Sequence, residues 1–153
     1  MLRISKLTDY GTLILAQLPT SSAGLASAGQ VADATRLSQP TVSKLLKAFV
    51  RAGLVVSERG SHGGYALARP GDEISAAEII DAIEGPVAIT ECSSAAGRCS
   101  LEPTCQVGSA WQGINLSIRR ALTEVSLADL QSRRLPMPSP RFRDDILGPV
   151  VGR

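Results

Sequence analysis

The sequence predicts a mainly α-helical protein with one small β-hairpin, an α+β fold. Three observations support this prediction. Apolar residues recur every three or four positions along several segments, which is the spacing of amphipathic helices. One stretch, residues 54–70, combines a β-branched run with a glycine-rich turn, as a hairpin does. Aromatic residues make up only 3% of the 153-residue chain, so Leu, Ile, Val and Ala must fill the core.

The N-terminal third of the chain predicts three helices. The first is ISKLTDYGTLILAQL, which ends before Pro19. Its apolar residues near one helical face are Ile4, Leu7, Ile14 and Leu18. Ser27 is a candidate N-cap for a short second helix that runs to about residue 34. The third helix, SQPTVSKLLKAFVRAG, has Ser38 as its candidate N-cap, Pro40 in its first turn and Gly53 at its end.

The second and third helices, joined by the tight link TRLS, have the outline of a helix-turn-helix. The polar side of the third helix carries Thr41, Ser43, Lys44 and Lys47. Directly after it, LVVSE and YALARP predict two strands joined by the turn RGSHGG, which is the wing of a winged helix. Its tip carries Arg59 and His62, which can reach phosphate or the minor groove. The alternative is a small helical domain whose polar residues only face solvent.

Further helices are predicted after the hairpin. A capping box of Ser75 and Glu78 in SAAEIIDAIEG opens a packing helix that ends at Gly85. Beyond the cysteines, apolar residues recur at helical spacing at Val107, Trp111, Ile114, Ile118, Leu122 and Val125. So long a stripe is either core or a dimer seam, and we expect a seam shared between two subunits. Ser126 opens one more short turn, and the proline-rich tail from Pro136 predicts disorder.

The chain therefore divides into four predicted parts. These are a winged helix-turn-helix DNA-binding domain (1–85), a cysteine loop (86–108), a long dimerisation helix (109–132) and a disordered tail (133–153). Residues 1–70 carry eight Lys or Arg against three Asp or Glu, whereas residues 71–132 carry three against nine. Only the front half of the chain suits a polyanion such as DNA.

Neither a signal peptide nor an apolar run approaching 18 residues is visible in the sequence, so we expect a soluble cytoplasmic protein that binds no membrane. In that reducing compartment the three cysteines of ECSSAAGRCSLEPTC, Cys92, Cys99 and Cys105, indicate metal binding or redox sensing. Gaps of six and five residues, with Gly97 and Pro103 to bend the chain, allow the thiolates to converge. Zinc knuckles and ribbons use two-residue gaps, which this segment lacks, so structural zinc is less favoured. Zinc and metal-free thiols stay open as alternatives.

An enzyme with a catalytic cysteine would need a base near the thiol. The sole histidine, His62, lies about thirty residues before the first cysteine, and the chain has neither a P-loop motif nor paired carboxylates. We therefore expect no enzyme, no catalytic residue and no small-molecule substrate.

Five segments together resemble the Rrf-two family of winged-helix regulators: LRISKLTDYGTLIL, LSQPTVSKLLKAFVRAGLV, RGSHGGYALARP, ISAAEIIDAIEGP and ITECSS with its two further cysteines. The resemblance covers roughly residues 1–132 and is greatest to the branch of SUF-system iron–sulfur assembly regulators. It implies a homodimer on an inverted-repeat operator of double-stranded DNA. It also implies one iron-sulfur cluster per subunit, with 2Fe-2S favoured and 4Fe-4S as the alternative. The implied function is a repressor of SUF genes whose DNA binding the cluster controls.

The resemblance also implies which residues act. The three cysteines would hold the cluster and leave one position open. One branch of the family fills that position with a histidine three residues after the last cysteine, but Gly108 stands there in this chain. Another branch uses an aspartate from the first helix of the partner subunit, and Asp9 in KLTDYG matches it. The alternative for Asp9 is a carboxylate stabilised by the helix dipole.

For DNA the resemblance implies three sets of contacts. Residues expected to face bases are Pro40, Thr41, Ser43 and Lys44. Lys47 and Arg51 would contact phosphates, and Arg59 matches a groove-inserting arginine of the wing. Three alternatives stay open: a sensor of nitric oxide or redox stress with the same fold, a winged-helix regulator that holds zinc or no metal, and a metal-free adaptor that binds protein.

Overall fold

The computed structural model describes residues 4–20, 23–60, 62–93, 99–100 and 105–132. Within these ranges the fold is mainly helical with a two-stranded antiparallel hairpin, which confirms the predicted fold class. The helices in this part of the chain are all too short or too polar to cross a membrane. The predicted disordered tail lies outside the described residues, as do Gly97 and Pro103 of the cysteine loop.

The elements are, in chain order, α1 (Lys6–Gln17), α2 (Ala28–Thr35), α3 (Gln39–Arg51), β1 (Val55–Glu58), β2 (Gly64–Leu67), α4 (Ala76–Glu84), α5 (Gly108–Thr123) and α6 (Leu127–Ser132). Short 3-10 turns occupy Gly71–Glu73 and Glu91–Ser93. Helices α1 to α4 pack around one apolar core, and its fully buried side chains include Ile14, Leu15, Val42, Leu46, Phe49 and Ile79.

Gly11 lets α1 approach its neighbours closely. A Cβ atom at this position would lie 2.4 Å from Ile83 Cδ1 and 2.8 Å from Phe49 Cζ. Glycine in a helix interior costs about 0.5–1 kcal/mol relative to alanine. The close contact of α1 with α3 and α4 offsets that cost.

Helix α1 differs in part from the sequence-based prediction. Ile14 and Leu18 are buried, but Ile4 is 49% exposed and Leu7 is 38% exposed. The reason is that the helix begins at Lys6, so Ile4 lies before it and Leu7 lies in a first turn that projects past the core. The N-terminal end of α1 therefore offers apolar surface.

The predicted caps of α2 and α3 are confirmed as positions. Ser27 forms a capping box with Gln30 at the start of α2. Ser38 is the N-cap of α3, but its side chain makes no capping bond. Its Oγ lies instead 2.8 Å from Thr41 Oγ1. Gly53, with φ +74°, takes the left-handed conformation that ends α3.

The hairpin pairs Val55 with Leu67 and Glu58 with Gly64. The chain before α2 extends this small sheet, because Tyr65 N–H donates to the Ala26 carbonyl at 2.8 Å and Ala26 N–H donates back at 2.9 Å. The hairpin is thereby fixed to the helix-turn-helix at its inner edge.

Helix α4 begins at the predicted capping box, in which Ser75 Oγ accepts from Glu78 N–H and Glu78 Oε2 accepts from Ser75 N–H. Burial alone would raise the pKa of Glu78, but hydrogen bonds from Ser75 and the Arg69 guanidinium outweigh it and lower that pKa. Gly85 ends the helix with φ +89°. The expected boundaries of this helix are confirmed.

The segment predicted as a long dimerisation helix contains two helices. Helix α5 ends at Thr123, and after a short turn α6 begins at Leu127. Leu127 is fully buried, and its N–H donates to the Ile74 carbonyl at 2.7 Å. In the same way Ala76 N–H donates to the Val125 carbonyl at 2.8 Å. The C-terminal end of α5 is thus tied into the core of the N-terminal half.

Candidate DNA interface and cysteine segment

The predicted recognition helix is α3. Its apolar side chains, Val42, Leu45, Leu46 and Phe49, are buried. The opposite side of the helix carries the residues predicted to contact DNA: Pro40, Lys44, Lys47 and Arg51 are exposed, whereas Thr41 and Ser43 are half-buried. One helix therefore brings six of the predicted DNA-binding residues to the surface.

The N-terminal turn of α3 has an unusual cap. Since Ser38 Oγ pairs with Thr41 Oγ1, the first backbone N–H groups of the helix receive no side-chain cap. Uncapped N–H groups and the positive end of the helix dipole suit an anion such as a phosphate. The same pairing holds the Thr41 hydroxyl at the start of the helix.

The other two predicted DNA-binding residues, Arg59 and His62, are exposed on the turn between β1 and β2. This turn requires glycine at position 63, because a Cβ there would lie 2.3 Å from the Glu58 carbonyl oxygen. Gly60 has φ +118°, in the region that favours glycine. The tightness of the turn keeps Arg59 and His62 at the tip of the hairpin.

Helix α3 and the hairpin share one surface. Lys47 and Arg51 line a shallow depression together with Ser57 and Tyr65 of the two strands. Ser57 and Tyr65 could not be assigned to this surface from local patterns, because their placement depends on the strand register. Arg36, a cation outside the predicted set, is exposed in the turn between α2 and α3, with φ +57°.

All three cysteines fall within the described residues, and none forms a disulfide. Cys92 lies in the 3-10 turn Glu91–Ser93 and is half-buried, as is Cys99, while Cys105 is exposed just before α5. Among the described residues, no group of three or more Cys, His, Asp or Glu side chains is assembled closely enough to hold a metal ion. The intervening segments 94–98 and 101–104 lie outside the described part of the chain.

Two of the cysteines are close to the first turns of α5. Gln112 Nε2 donates to the Cys92 carbonyl at 3.2 Å, and Thr90 Oγ1 lies 3.2 Å from Cys92 Sγ. Near Cys105, a Cβ added at Gly108 would lie 3.6 Å from the Cys105 sulfur. Thiolates are the ligands that iron in iron–sulfur clusters prefers, and the positive end of a helix dipole favours negative groups. The donor set of this segment therefore fits an iron–sulfur cluster.

Asp9 is exposed in the first turn of α1. It lines an apolar cavity of about 510 Å³ together with Leu13, Ile80, Leu122 and Leu130, among others. Within the described part of one chain, Asp9 forms no ligand group with the cysteines. The cavity instead places Asp9 where α1, α4, α5 and α6 meet.

Polar contacts connect α4 to its neighbours at this junction. The Arg119 guanidinium of α5 donates twice to the Asp81 carboxylate of α4, at 3.1 and 2.5 Å. The hydrogen bond from Arg119, together with the charge of Asp81, raises the pKa of that arginine. At the other end of α4, Glu84 accepts hydrogen bonds from Thr8 Oγ1 and Ser5 N–H, which lower its pKa. Helix α4 thus connects α5 to the N-terminus of α1.

Comparison with known proteins agrees with this geometry. Residues 4–133 match the Rrf2 family, described as iron-dependent transcriptional regulators. An HTH-type transcriptional regulator of Mycobacterium tuberculosis is 31% identical over 145 residues, which cover 94% of this chain and 90% of that protein. The structure of CymR, the global cysteine regulator of B. subtilis, has a TM-score of 0.63 and 32% identity over 87% of this chain and 98% of its own. IscR of T. potens has a TM-score of 0.57 and 30% identity over 86% and 88%.

These relatives are regulators of transcription and not enzymes, which agrees with the expectation from the sequence. The CymR and IscR structures share the winged-helix architecture found here, in which a hairpin follows the recognition helix. The family match spans most of the chain, including the helix-turn-helix, the hairpin and the cysteine segment. This protein is therefore a DNA-binding transcriptional regulator that belongs to the Rrf2 family.

Proposed function

We propose that this protein is a cytoplasmic homodimeric repressor whose binding to inverted-repeat DNA is controlled by an iron–sulfur cluster. Cys92, Cys99 and Cys105 would hold the cluster, and the regulated genes would be those of SUF-type cluster assembly. The observation that carries this proposal is the connection between its two halves. The helix that adjoins two of the cysteines, α5, is joined by Arg119–Asp81 to α4 and by the turn before α6 to the core.

A second copy of the chain is the proposed cover for the exposed part of α5. Three apolar side chains of this helix are exposed to solvent: Trp111, Ile114 and Leu116, of which Leu116 is 66% exposed. Val107, just before the helix, is exposed as well. The C-terminal half of the helix instead turns Ile118 and Leu122 towards α4. Large exposed apolar patches mark interaction sites, and a symmetric pair of helices would bury the same patch on both subunits.

The apolar cavity beside Asp9 supports a role for this carboxylate at the dimer interface. Its rim includes Ile4 and Leu13, which are both about half exposed in the single chain. A partner that covered this surface would bring its own segments to Asp9. We therefore propose Asp9 as the fourth cluster ligand, donated across the dimer, with a helix-stabilising carboxylate as the alternative.

The cluster would supply a redox- and supply-sensitive centre; 2Fe-2S is favoured and 4Fe-4S is the alternative. The three thiolates would bind the cluster. Helices α5 and α4 would convert its presence into a change in the spacing of the two recognition helices. The size of that change is bounded by the difference in cluster affinity between the two arrangements.

On DNA, we propose that α3 enters the major groove. Pro40, Thr41, Ser43 and Lys44 would face bases. The cations Lys47 and Arg51 would contact phosphates, since they border the hairpin side of the helix. Arg59 and His62 at the tip of the hairpin would reach the neighbouring minor groove.

Isolation of the protein without oxygen tests the cofactor. We expect iron and acid-labile sulfide in equal amounts per chain, and a visible spectrum that dithionite bleaches. Replacement of all three cysteines by serine should remove both. Stoichiometric zinc without sulfide, or a colourless protein, would contradict the proposal and favour the zinc-bound or metal-free alternative.

A second candidate is a repressor that senses nitric oxide or redox stress. The exposure of Cys105 favours it, because small reagents can reach that sulfur. The response of the loaded protein separates the two functions. Release from DNA on exposure to nitric oxide, with no response to cluster supply, would support this second candidate.

A further inference from the structure

Two amide side chains of α5 hold the segment that carries the first cysteine. Asn115 Oδ1 accepts a hydrogen bond from Ile89 N–H at 3.2 Å. Gln112 Nε2 donates to the Cys92 carbonyl, also at 3.2 Å. Because the two amides are three residues apart on a helix, they lie on the same face. Both bond to main-chain groups of residues 89–92, so they fix that backbone rather than one side chain.

Asn115 is buried, with 7% of its surface exposed. The other residues of α5 are exposed or half-buried. A buried amide costs about 1–3 kcal/mol when it lacks hydrogen-bond partners. Its Oδ1 is bonded to the backbone N–H of Ile89, 26 residues away in the sequence. The burial of Asn115 therefore depends on the position of the cysteine segment.

The segment is also ordered within itself. Ser93 N–H donates to the Thr90 carbonyl at 3.0 Å, which closes the 3-10 turn around Cys92. The hydroxyls of Thr90 and Ser93 are 2.7 Å apart, and Thr90 Oγ1 lies 3.2 Å from Cys92 Sγ. A sulfur that binds iron can only accept a hydrogen bond, so Thr90 would then be the donor to it. The turn thus presents Cys92 in one defined orientation relative to α5.

We infer that Gln112 and Asn115 are positioning residues that hold Cys92 in place to bind the metal. The inference rests on the proposed thiolate site and adds to it: α5 both carries the proposed dimer surface and supplies the outer contacts of the first cysteine ligand. Groups that orient metal ligands without touching the metal typically raise affinity by about 10- to 100-fold. Gln112 and Asn115 have this relation to Cys92.

Cadmium ion is a suitable probe, because it binds thiolates and gives a sulfur-to-metal absorption band. The apo protein, reduced and free of oxygen, is titrated with Cd²⁺ against a competing chelator. We expect Gln112→Ala and Asn115→Ala each to weaken Cd²⁺ binding by about tenfold. The matched control is Gln131→Ala, which removes a similar bond, from Gln131 Nε2 to the Ala16 carbonyl at 3.1 Å, far along the chain from the cysteines. It should bind Cd²⁺ as the wild type does.

Hydrogen exchange gives a second readout that general destabilisation would not reproduce. In the apo protein Asn115→Ala should speed exchange of the Ile89 amide and leave that of the Ala76 amide, bonded to Val125, unchanged. Equal Cd²⁺ affinity in wild type, Gln112→Ala and Asn115→Ala would overturn the inference. A wild type that binds no Cd²⁺ would instead overturn the thiolate site itself, and the inference with it.

Discussion

Arg119 of α5 binds the Asp81 carboxylate of α4 through two hydrogen bonds, from Nη1 to Oδ1 and from Nη2 to Oδ2. Through this pair, the helix that adjoins the cysteines touches the helix that also binds the start of α1. Bidentate geometry of this kind fixes orientation as well as distance. In the proposed function, Arg119 and Asp81 are therefore part of the path from the cluster to the DNA-binding surface.

Replacement of Arg119 by alanine should reduce the response of DNA binding to the cluster. Couplings between sites are typically about 5- to 150-fold in affinity, and we expect the ratio of operator affinities with and without cluster to move towards one. The effect on stability should be small, about 1 kcal/mol or less, because the pair is partly exposed. Operator titrations of the loaded and apo variant measure the ratio.

Arg120→Ala is the control for this variant. Arg120 is its neighbour on α5 and pairs with Glu124 of the same helix in a highly exposed contact. It should leave the ratio unchanged. An equal response in the wild type and in Arg119→Ala would remove Arg119–Asp81 from the path.

Lys47→Ala tests the phosphate role of α3. Loss of one phosphate contact should weaken binding to all DNA sequences alike and reduce the slope of log affinity against log salt by about 0.9. Fluorescence anisotropy at several salt concentrations gives the slope. An unchanged slope would place Lys47 off the backbone of the DNA.

Ser43→Ala should act differently, because a side chain that faces bases alters preference at one base pair and leaves the salt slope intact. Competition between operators that differ at single positions measures this effect. A uniform loss across all operator variants would contradict the assignment of Ser43 to base contact.

Gly11→Ala should destabilise the fold by about 1–3 kcal/mol, because the new methyl group meets Ile83 and Phe49. Gly113→Ala in α5 is the matched comparison. Beyond the adjacent residues and the backbone of α5, no atom of the described residues lies within 4 Å of a Cβ there, so alanine should be neutral or stabilising by up to about 1 kcal/mol. Urea unfolding of both variants reports the difference, and equal stabilities would show that α1 does not pack as closely as described.

Stability should fall in acid partly through Glu84. The hydrogen bonds from Thr8 and Ser5 lower its pKa in the folded protein below the ordinary value of 4.5. The unfolded chain therefore binds more protons near that pH, so the contribution is present above about 4.5 and is lost as the pH falls through the folded pKa. Urea unfolding from pH 3 to 7 should show a shallower acid slope for Glu84→Gln than for the wild type. Glu73→Gln, at an exposed site, should keep the wild-type slope.

Much of the fold follows from local patterns in the sequence. Ser27 and Ser75 cap helices with their side chains, Ser38 takes the N-cap position of α3, and Gly53 and Gly85 end helices, because these functions depend on residue type and immediate neighbours. The exposure of Ile4 and Leu7 could not be predicted from periodicity, since it depends on where the core ends. The break between α5 and α6 could not be predicted from periodicity either. The apolar repeat continues through Val125, whereas the chain turns so that Leu127 is buried in the core.

The candidate site was predictable to a similar degree. Residues of α3 and the hairpin tip are on the surface because their spacing opposes the buried face. Ser57 and Tyr65 beside Lys47, and Asn115 behind Ile89, depend on contacts between elements distant in the chain. Periodicity within one element carries no information on such contacts, and the proposed role of Asp9 involves a second subunit.

The most direct test of cluster control is operator binding by one oxygen-free preparation before and after its cluster is removed, with the Cys92→Ser, Cys99→Ser, Cys105→Ser triple variant alongside. The account predicts that the loaded and apo forms differ in affinity by at least fivefold, and that the triple variant behaves as the apo form under both conditions. Identical affinity of the loaded form, the apo form and the triple variant would contradict it.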